Sequence, residues 1–496
     1  MTKAMEKFIQ KLDSTESVFD LMEVAYGILS KEIENEPAFI AKYMAQSPMN
    51  NTNPNCNILR DFYNTVALLF SDYFSIKYKE QKEKIKISIQ GIKLEKYGEA
   101  KENELSFVFQ LLLAINCAAN NWDKYKIRNN WGPLNGKKGN YAVYFWDEES
   151  YMCDLKEYIG REKVRDGGFQ EFVNNFIFIN RKTWIVKGKM PNVVAIKPNN
   201  IPNLKLKIAM IYPGKEKSFQ FVPYMGSLLK VEYLDQEQNN LYSNMILQMK
   251  NAILEGANII ILPEFIVSAQ ILSKIREQIC LWRRDKKFNS SNLFAVFAGS
   301  TADGSQHNNI MNILDSWGNI IGQYYKYSAY RKKDENGKGY KECEFIKNPG
   351  EKCSIIFVQG IGSFLPAICR DVIDGKYTAE LVNIFMPLFV IVSAWSRSTN
   401  SFKKYFEEYA TKYFTNSVLC NSCDAISVKN KDAVVGIASS VEKAKTIAEA
   451  KIELCKREQC FDKCKKGCCF IITYCFEKKA LTNGRLIQVK RIFGIE

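Results

Sequence analysis

The chain of 496 residues is too long for one ordinary hydrophobic core, so its length favours two or three domains. Its 46% apolar and 25% charged residues are typical of a globular protein. The N-terminal segment lacks the continuous apolar run of a secretory signal. The longest apolar stretch, residues 381–395, is interrupted by Asn383 and Pro387 and is short for a membrane span, so it predicts buried core. Fifteen cysteines without a signal then favour a reduced, cytoplasmic chain with no membrane partner.

The net charge of +15 would favour contact with nucleic acid or acidic partners. Lysines are spread along the whole chain, however, together with many asparagines and isoleucines, as an AT-rich coding sequence would also produce. Charge alone therefore leaves a nucleic-acid partner as a secondary expectation.

A cluster of Pro and Asn at residues 197–203 predicts a domain boundary. It separates a mainly helical N-terminal domain, residues 1–200, from a second domain, residues 204–496. Near the N-terminus, Asp13 and Glu16 have the spacing of a capping box before an amphipathic helix. A second helix is predicted in "ELSFVFQLLLAINCAANNW", and strands in "YAVYFW" and "NFIFINRKTWIVKG".

Strands and helices alternate in the second domain. Strands are predicted in "LKIAMIY", "NIIIL", "LFAVFAG", "NIMNILDSWGNIIGQYYKY" and "CSIIFVQGIGSFLPAIC", and helices in "NNLYSNMILQMKNAILEG" and "SAQILSKIREQICLW". Gly256 stands where a glycine commonly ends a helix. This order favours an α/β sandwich covered by helices.

The single histidine, His307, excludes a site with several histidine ligands and restricts any His-based triad to that residue. Three other reactive residues follow predicted strands: Glu264, Lys326 and Cys369. A carboxylate in a dry pocket can take the proton of a thiol, and an ammonium can stabilise charge that develops during attack on a carbonyl or nitrile. Each residue alone also has an ordinary explanation, as a helix N-terminal acid, a solvent-facing lysine or a buried cysteine.

Three segments in order, "GANIIILPEF", "GNIIGQYYKY" and "NPGEKCSIIFVQGIGSFLPAICRDV", resemble the motifs of the carbon–nitrogen hydrolase (nitrilase) superfamily over residues 204–445. The resemblance implies an α-β-β-α sandwich, preceded here by the helical domain. It implies that Glu264 is the general base, that Lys326 stabilises the tetrahedral intermediate, and that Cys369 forms a thioester acyl-enzyme. It implies no cofactor, and a homo-oligomer formed through the sandwich.

The resemblance leaves finer roles open. Glu342 and Glu344 compete for the place of a second acid, with Glu342 favoured, and the backbone N–H of Arg370 is a candidate oxyanion donor. Pro366 removes a strand donor before the nucleophile. The segment "VIDGKYTAEL" replaces the family's Phe-Pro-Glu, so the substrate-shaping loops are expected to be unusual.

A cysteine-rich C-terminal extension, at about residues 450–480, lacks the spacing of a zinc ribbon, so reduced structural cysteines are favoured and no metal is expected. Its cysteines are Cys455, Cys460, Cys464, Cys468, Cys469 and Cys475.

Two functions remain. The first is a cysteine-dependent hydrolase or acyl transferase that cleaves a non-peptide C–N bond in a small amide-type substrate. The alternative is a nitrilase-like module of a bacterial defence system, with a specialised or vestigial site, that partners a nucleic-acid-acting protein such as a reverse transcriptase. The N-terminal 200 residues are too short for a polymerase and lack Tyr-x-Asp-Asp, so that enzyme would be a separate chain.

Overall fold

The structure, a computed structural model, divides into two compact units, residues 1–190 and 191–496. Apart from a few single positions, it describes residues 3–35, 139–145, 176–184, 189–196, 205–214, 218–224, 228–285, 292–303, 308–329, 331–333, 339–342, 349–358, 361–374, 376–413, 415–425, 434–439, 451–456, 467–477 and 480–493. The division precedes the cluster of Pro and Asn on which the domain prediction rests, and it assigns one additional strand to the second unit.

In the first unit, helices α1 (Lys3–Asp13) and α2 (Val18–Asn35) accompany an antiparallel pair of strands, β1 (Tyr141–Phe145) and β2 (Phe176–Asn180). Both strands were predicted. Within the second predicted helix, four positions spaced three or four residues apart are helical and buried: Val108, Leu111, Leu112 and Ile115. That spacing is the buried stripe of an amphipathic helix.

The N-terminal cap of α2 differs from the prediction. Helix α1 extends to Asp13, so that residue ends one helix instead of starting the next. The Ser17 hydroxyl accepts the backbone N–H of Asp20 at 3.2 Å, and the Asp20 carboxylate accepts the N–H of Glu16 at 3.2 Å. The predicted Asp13–Glu16 pair is therefore wrong, because α1 extends over Asp13 and Ser17 caps α2 in its place.

The second unit is a mixed α/β structure. Its strands are β3 (Asn192–Ile196), β4 (Lys205–Tyr212), β5 (Phe219–Tyr224), β6 (Leu228–Tyr233), β7 (Ile259–Ile261), β8 (Ala295–Asp303), β9 (Asn308–Leu314), β10 (Ile320–Tyr325), β11 (Arg331–Lys333), β12 (Gly339–Glu342), β13 (Ser354–Val358), β14 (Gly362–Ile368), β15 (Phe389–Ala394), β16 (Asn416–Asn421), β17 (Val434–Ser439), β18 (Lys451–Lys456), β19 (Cys468–Glu477) and β20 (Ala480–Phe493). Its helices are α3 (Asp235–Leu254), α4 (Ala269–Arg284), α5 (Arg370–Ile373), α6 (Tyr377–Phe385) and α7 (Asn400–Tyr413).

These strands form two seven-stranded sheets and a small four-stranded sheet. The first sheet has the order β10-β9-β8-β7-β4-β19-β20, and the second has the order β18-β17-β16-β15-β14-β13-β3. The central strands β4, β7 and β8 run parallel, as do β14, β15 and β16. The small sheet has the order β11-β12-β6-β5. Parallel strands end at one edge of their sheet, which is where α/β proteins place their sites.

The two large sheets pack face to face. The Ser393 hydroxyl of β15 donates to the carbonyl of Leu262, beside β7, at 2.7 Å. The rings of Phe389 and Tyr474 meet edge to face with centroids 4.7 Å apart. Helices α3 and α4 share a hydrophobic core with alternate residues of β4, β7, β8 and β19, while α6 and α7 contact β14, β16 and β17. The layers therefore follow the predicted α-β-β-α order.

The C-terminal segment completes both sheets. Strand β18 lies at one edge of the second sheet, and β19 pairs with β4 in the first. Cys468 and Cys469 are buried in β19. Cys460 and Cys464 lie outside the described residues, as do the side chains of Cys455 and Cys475. Among the described side chains, no group of three or more His, Cys, Asp or Glu is arranged to hold a metal ion.

The long apolar stretch at residues 381–395 is buried core, as predicted. It forms the end of α6, a left-handed turn at Met386 with φ of 39°, and strand β15. In the described parts of the chain, no helix combines the length and apolar character needed to cross a membrane.

Candidate active site

The structure brings the three predicted site residues together between the sheets. Glu264 follows β7 and Lys326 follows β10, both in the first sheet, while Cys369 follows β14 in the second. Their exposed fractions are 1%, 2% and 5%, respectively. Three chemically reactive groups in so dry a place need specific partners, because burial disfavours each charged form.

The Glu264 carboxylate has three close donors. Its Oε1 accepts the Lys326 ammonium at 2.8 Å and the side-chain amide of Asn309 at 3.0 Å, while its Oε2 accepts the backbone N–H of Trp395 at 2.9 Å. These bonds offset the cost of burying the charge. They also fix the carboxylate in one orientation, as a base that must meet a defined proton requires.

A strained turn carries Glu264 out of β7. Phe265, directly after it, has φ of 64°, a region that large side chains rarely adopt, and its N–H donates to the Ser300 carbonyl at 3.1 Å. Gly299 also has positive φ, and a Cβ there would lie 2.2 Å from the Pro263 carbonyl oxygen. The backbone around Glu264 is thus held by close contact with β8. Positive φ at a large side chain such as Phe265 is strained, and backbone strain often occurs at functional sites.

Cys369 lies at a sharp turn between β14 and α5, with φ of 43°. Its N–H donates to the Ser393 carbonyl at 2.9 Å, and its Sγ lies 3.9 Å from the Trp395 carbonyl oxygen. Burial raises the pKa of the thiol well above its usual range; the Glu264 charge and a thiol–carboxylate hydrogen bond raise it further, while Lys326 lowers it. The resting thiol is therefore protonated and already in contact with the group that would take its proton.

Trp395 was not predicted as a site residue, yet its main-chain N–H and carbonyl contact Glu264 and Cys369, respectively. The next peptide, Ser396, is clamped by the Asn421 side chain, which accepts its N–H at 2.8 Å and donates to its carbonyl at 2.9 Å. The sequence signal was present in "VSAWS" and "VLCNSCDA", but main-chain contacts cannot be read from side-chain identity.

Asn309 and Asp371 were also missed. Asn309 stands in the Asn-rich strand β9 and donates directly to Glu264. Asp371 is buried two residues after the nucleophile and accepts hydrogen bonds from the backbone N–H groups of Tyr327 and Ser328 and from the Tyr324 hydroxyl. A polar residue inside a wholly buried strand, or an acid beside a nucleophile, is the signal that points to them.

The remaining predicted residues are placed less centrally. The Arg370 side chain pairs with Asp374 at 3.0 Å, while its backbone N–H opens α5, where a helical N–H has no intrahelical acceptor. Glu342 ends β12 in the small sheet, opposite Leu229, and its side chain lies outside the described residues. Glu344 and His307 also lie outside them.

An aromatic cluster lies beside Glu264. Phe219 and Phe221 of the small sheet pack against Phe265 and Trp395, with the ring centroids of Phe219 and Phe265 5.1 Å apart. The Lys326 ammonium lies 5.5 Å from the Phe265 centroid. Such apolar walls strengthen the electrostatic interactions among Glu264, Lys326 and a developing charge.

No family model and no curated protein matches the chain significantly. Among solved structures it is similar to an amidase from Nesterenkonia sp. AN1, at 15% identity over 45% of this chain and 79% of that chain, with a TM-score of 0.31. It is also similar to the C. elegans NitFhit protein, at 13% identity over 48% of this chain and 56% of that chain, with a TM-score of 0.34. One mutant of the amidase, a protein of the nitrilase superfamily, carries the acetamide moiety of fluoroacetamide on its active-site cysteine. Likeness at this level carries no argument about the present chain, so the functional argument rests on its own site.

Proposed function

We propose that the protein is a cysteine-dependent carbon–nitrogen hydrolase, or acyl transferase, that acts on small amide-type substrates. The observation that carries this proposal is one buried carboxylate, Glu264, that is bonded to the Lys326 ammonium at 2.8 Å and lies close enough to the Cys369 thiol to raise the thiol pKa. A purely structural ion pair would not need a buried thiol beside its carboxylate. The resemblance of the three motifs to the nitrilase superfamily supports the same assignment.

Acylation would begin when Glu264 takes the thiol proton of Cys369. The thiolate then attacks the amide carbon, a C–S bond forms, and the carbonyl oxygen becomes an oxyanion. Lys326 and the backbone N–H of Arg370 supply positive charge and a donor for that oxygen. Collapse of this intermediate breaks the C–N bond, and the leaving nitrogen receives the proton held by Glu264.

Deacylation would use the same groups in reverse order. Glu264 takes a proton from water, or from another acceptor in the case of acyl transfer, and the oxygen attacks the thioester carbon. The acid product leaves as sulfur departs and regains a proton through Glu264. No step requires a cofactor or metal ion. Glu342 would be a second acid that orients the substrate or the water.

The proposal also includes the assembly and location of the protein. It would be a homo-oligomer that pairs through the sandwich, in the cytoplasm, with a small molecule as its principal partner. Size-exclusion chromatography with light scattering tests the oligomer. The net charge of the chain, +15, supports a second proposed partner, a nucleic acid or a nucleic-acid enzyme. Salt-dependent binding to DNA and RNA tests this proposal.

Selective alkylation tests the enzyme proposal. Fluoroacetamide or iodoacetamide is added in limiting amounts, and modification is located by intact-mass measurement and peptide mapping. We expect Cys369 to react faster than the half-buried Cys280, although Cys369 is far less exposed. Glu264→Gln should suppress the reaction at Cys369 and leave that at Cys280 unchanged, and Cys369→Ala identifies the background.

Preferential modification of Cys280 would refute the proposal. A buried thiol without an operating base reacts more slowly than an exposed one, since the thiolate is the nucleophile. That result would favour the alternative, a vestigial nitrilase-like module of a defence system with a separate polymerase partner.

A further inference from the structure

Asp371 connects the two chain segments that carry Lys326 and Cys369. We propose that it is the positioning residue that fixes the lysine against the nucleophile, an inference that rests on the proposed function. The residue touches neither the base nor the thiol in the contacts described above. Its effect on the reaction would be exerted through Lys326.

The connection is direct at both ends. Asp371 is two residues after Cys369, in the first turn of α5. Its Oδ1 accepts the N–H of Tyr327 at 3.0 Å and the N–H of Ser328, the two residues that follow Lys326. Its Oδ2 accepts the Tyr324 hydroxyl at 2.9 Å, from the strand that precedes Lys326. One carboxylate thus holds the chain on both sides of the lysine.

Other contacts keep this arrangement rigid. The Lys326 N–H donates to the Asn309 carbonyl at 2.9 Å, so the lysine is also aligned with β9. The Tyr327 ring stacks on Tyr377 of α6, with centroids 4.7 Å apart. The lysine backbone is therefore fixed from two directions, and Asp371 supplies the one that leads to the nucleophile.

The positioning should depend on the charge of Asp371. An ionised carboxylate accepts every one of these donors, whereas a protonated one has less acceptor capacity and must place a proton of its own. The titratable groups that face it are Lys326, Tyr324 and Cys353, and Tyr377 lies beside the last two. Burial raises its pKa to about 7, against the lowering by its hydrogen bonds and by Lys326. The hydrogen bonds of Tyr324, Tyr327 and Ser328 to Asp371, here called the Asp371 anchor, would thus weaken as the pH falls below neutrality.

The first test is the pH profile of Cys369 alkylation by iodoacetamide in the full chain. In the wild type we expect the alkylation rate to fall with decreasing pH near pH 7, in addition to the fall caused by protonation of Glu264. Protonation of Asp371 would displace Lys326, and Lys326 lowers the thiol pKa only while it lies beside Cys369. Asp371→Asn should remove the fall near pH 7 and lower the plateau about tenfold, as a small misplacement of a charged group does. Tyr324→Phe, which deletes one donor, should move that fall to higher pH.

The control is Tyr409→Phe, which deletes another buried tyrosine hydroxyl, one without a described hydrogen-bond partner. It should leave the profile unchanged. Tyr324→Phe carries the test if Asp371→Asn does not fold. A folded Asp371→Asn variant with the wild-type rate and profile would overturn the inference, as would a Tyr324→Phe profile identical to that of Tyr409→Phe.

A second measurement separates this inference from the proposed function. Hydrogen exchange of the Tyr327 and Ser328 amides should be faster in Asp371→Asn than in Tyr409→Phe, whether or not the thiol is reactive. If Cys369 is unreactive in the wild type but this exchange accelerates, the proposed chemistry fails and the anchor stands. If Cys369 is reactive and the exchange is unchanged, the anchor fails and the chemistry stands.

Discussion

Replacing Lys326 with methionine probes the energy stored in the buried ion pair. The variant leaves the Glu264 carboxylate, 1% exposed, without its cation. Removing one partner of a buried pair typically costs about 3–5 kcal/mol of unfolding free energy, because an uncompensated charge remains. Asn309 and Trp395 still donate to Glu264, and each such bond to a charged acceptor contributes about 1.5–3 kcal/mol. We therefore expect a loss near the lower end, about 3 kcal/mol.

The double variant Lys326→Met with Glu264→Gln removes both charges. An uncharged amide at position 264 can accept the Trp395 N–H with its oxygen and donate its NH₂ to the Asn309 oxygen once the Asn309 amide turns over, so we expect the double variant to lose only about 1 kcal/mol relative to wild type. Adding Glu264→Gln to Lys326→Met would thus restore about 2 kcal/mol of unfolding free energy, and such non-additivity indicates that the two residues are coupled.

Urea unfolding followed by circular dichroism measures these differences, with the slopes compared because a chain of two units need not unfold in one step. The exposed pair of Lys412 and Glu408, 2.7 Å apart against 2.8 Å for the buried pair, provides the matched control, and Lys412→Met should change stability negligibly. A double variant that is no more stable than Lys326→Met alone would refute the reasoning, because the cost would then come from lost packing and not from an unpaired charge.

Three further outcomes follow from the site. Gly299→Ala should lower stability by about 1–3 kcal/mol and slow Cys369 alkylation, since the new Cβ meets the Pro263 carbonyl; unchanged alkylation contradicts this. Asn421→Ala should slow alkylation because it frees the peptide after Trp395, and a normal rate in the folded variant contradicts it. Asp371 titrates at about 7 when folded and at 3.8 ordinarily, so the folded state retains a proton that the unfolded chain has lost. Its contribution to stability should therefore fall as the pH rises from about 4 to about 7, and urea midpoints of Asp371→Asn should lack that decline.

The sequence predicted the strands that carry or adjoin the site residues, namely β4, β7–β10, β13 and β14, and the helices α3 and α4, because buried β-strands and amphipathic helices have distinct apolar periods. It also located Glu264, Lys326 and Cys369, whose types follow strand ends in a recognisable order. Trp395 was not predicted as a site residue because its contacts with Glu264 and Cys369 come from its main chain. Asn309 and Asp371 escaped because their partners are distant in sequence and are determined by sheet pairing.

The capping error has a different cause. Asp13 and Ser17 each begin a pattern that fits a helix start, and local propensity alone does not choose between them. The extent of α1 decides it. The completion of both sheets by β18–β20 is likewise a long-range event, since β19 pairs with β4, more than two hundred residues earlier.

Trp395 contacts Glu264 through its main-chain N–H and Cys369 through its main-chain carbonyl, whereas its ring belongs to the aromatic cluster. The contacts that align Glu264 and Cys369 thus come from a main-chain N–H and C=O, which every amino acid except proline possesses. The identity of the side chain at this position is left to shape the volume beside the reaction centre. Under the proposed function, a substitution at position 395 would change the volume beside Glu264 and Cys369 and leave the main-chain contacts to them in place.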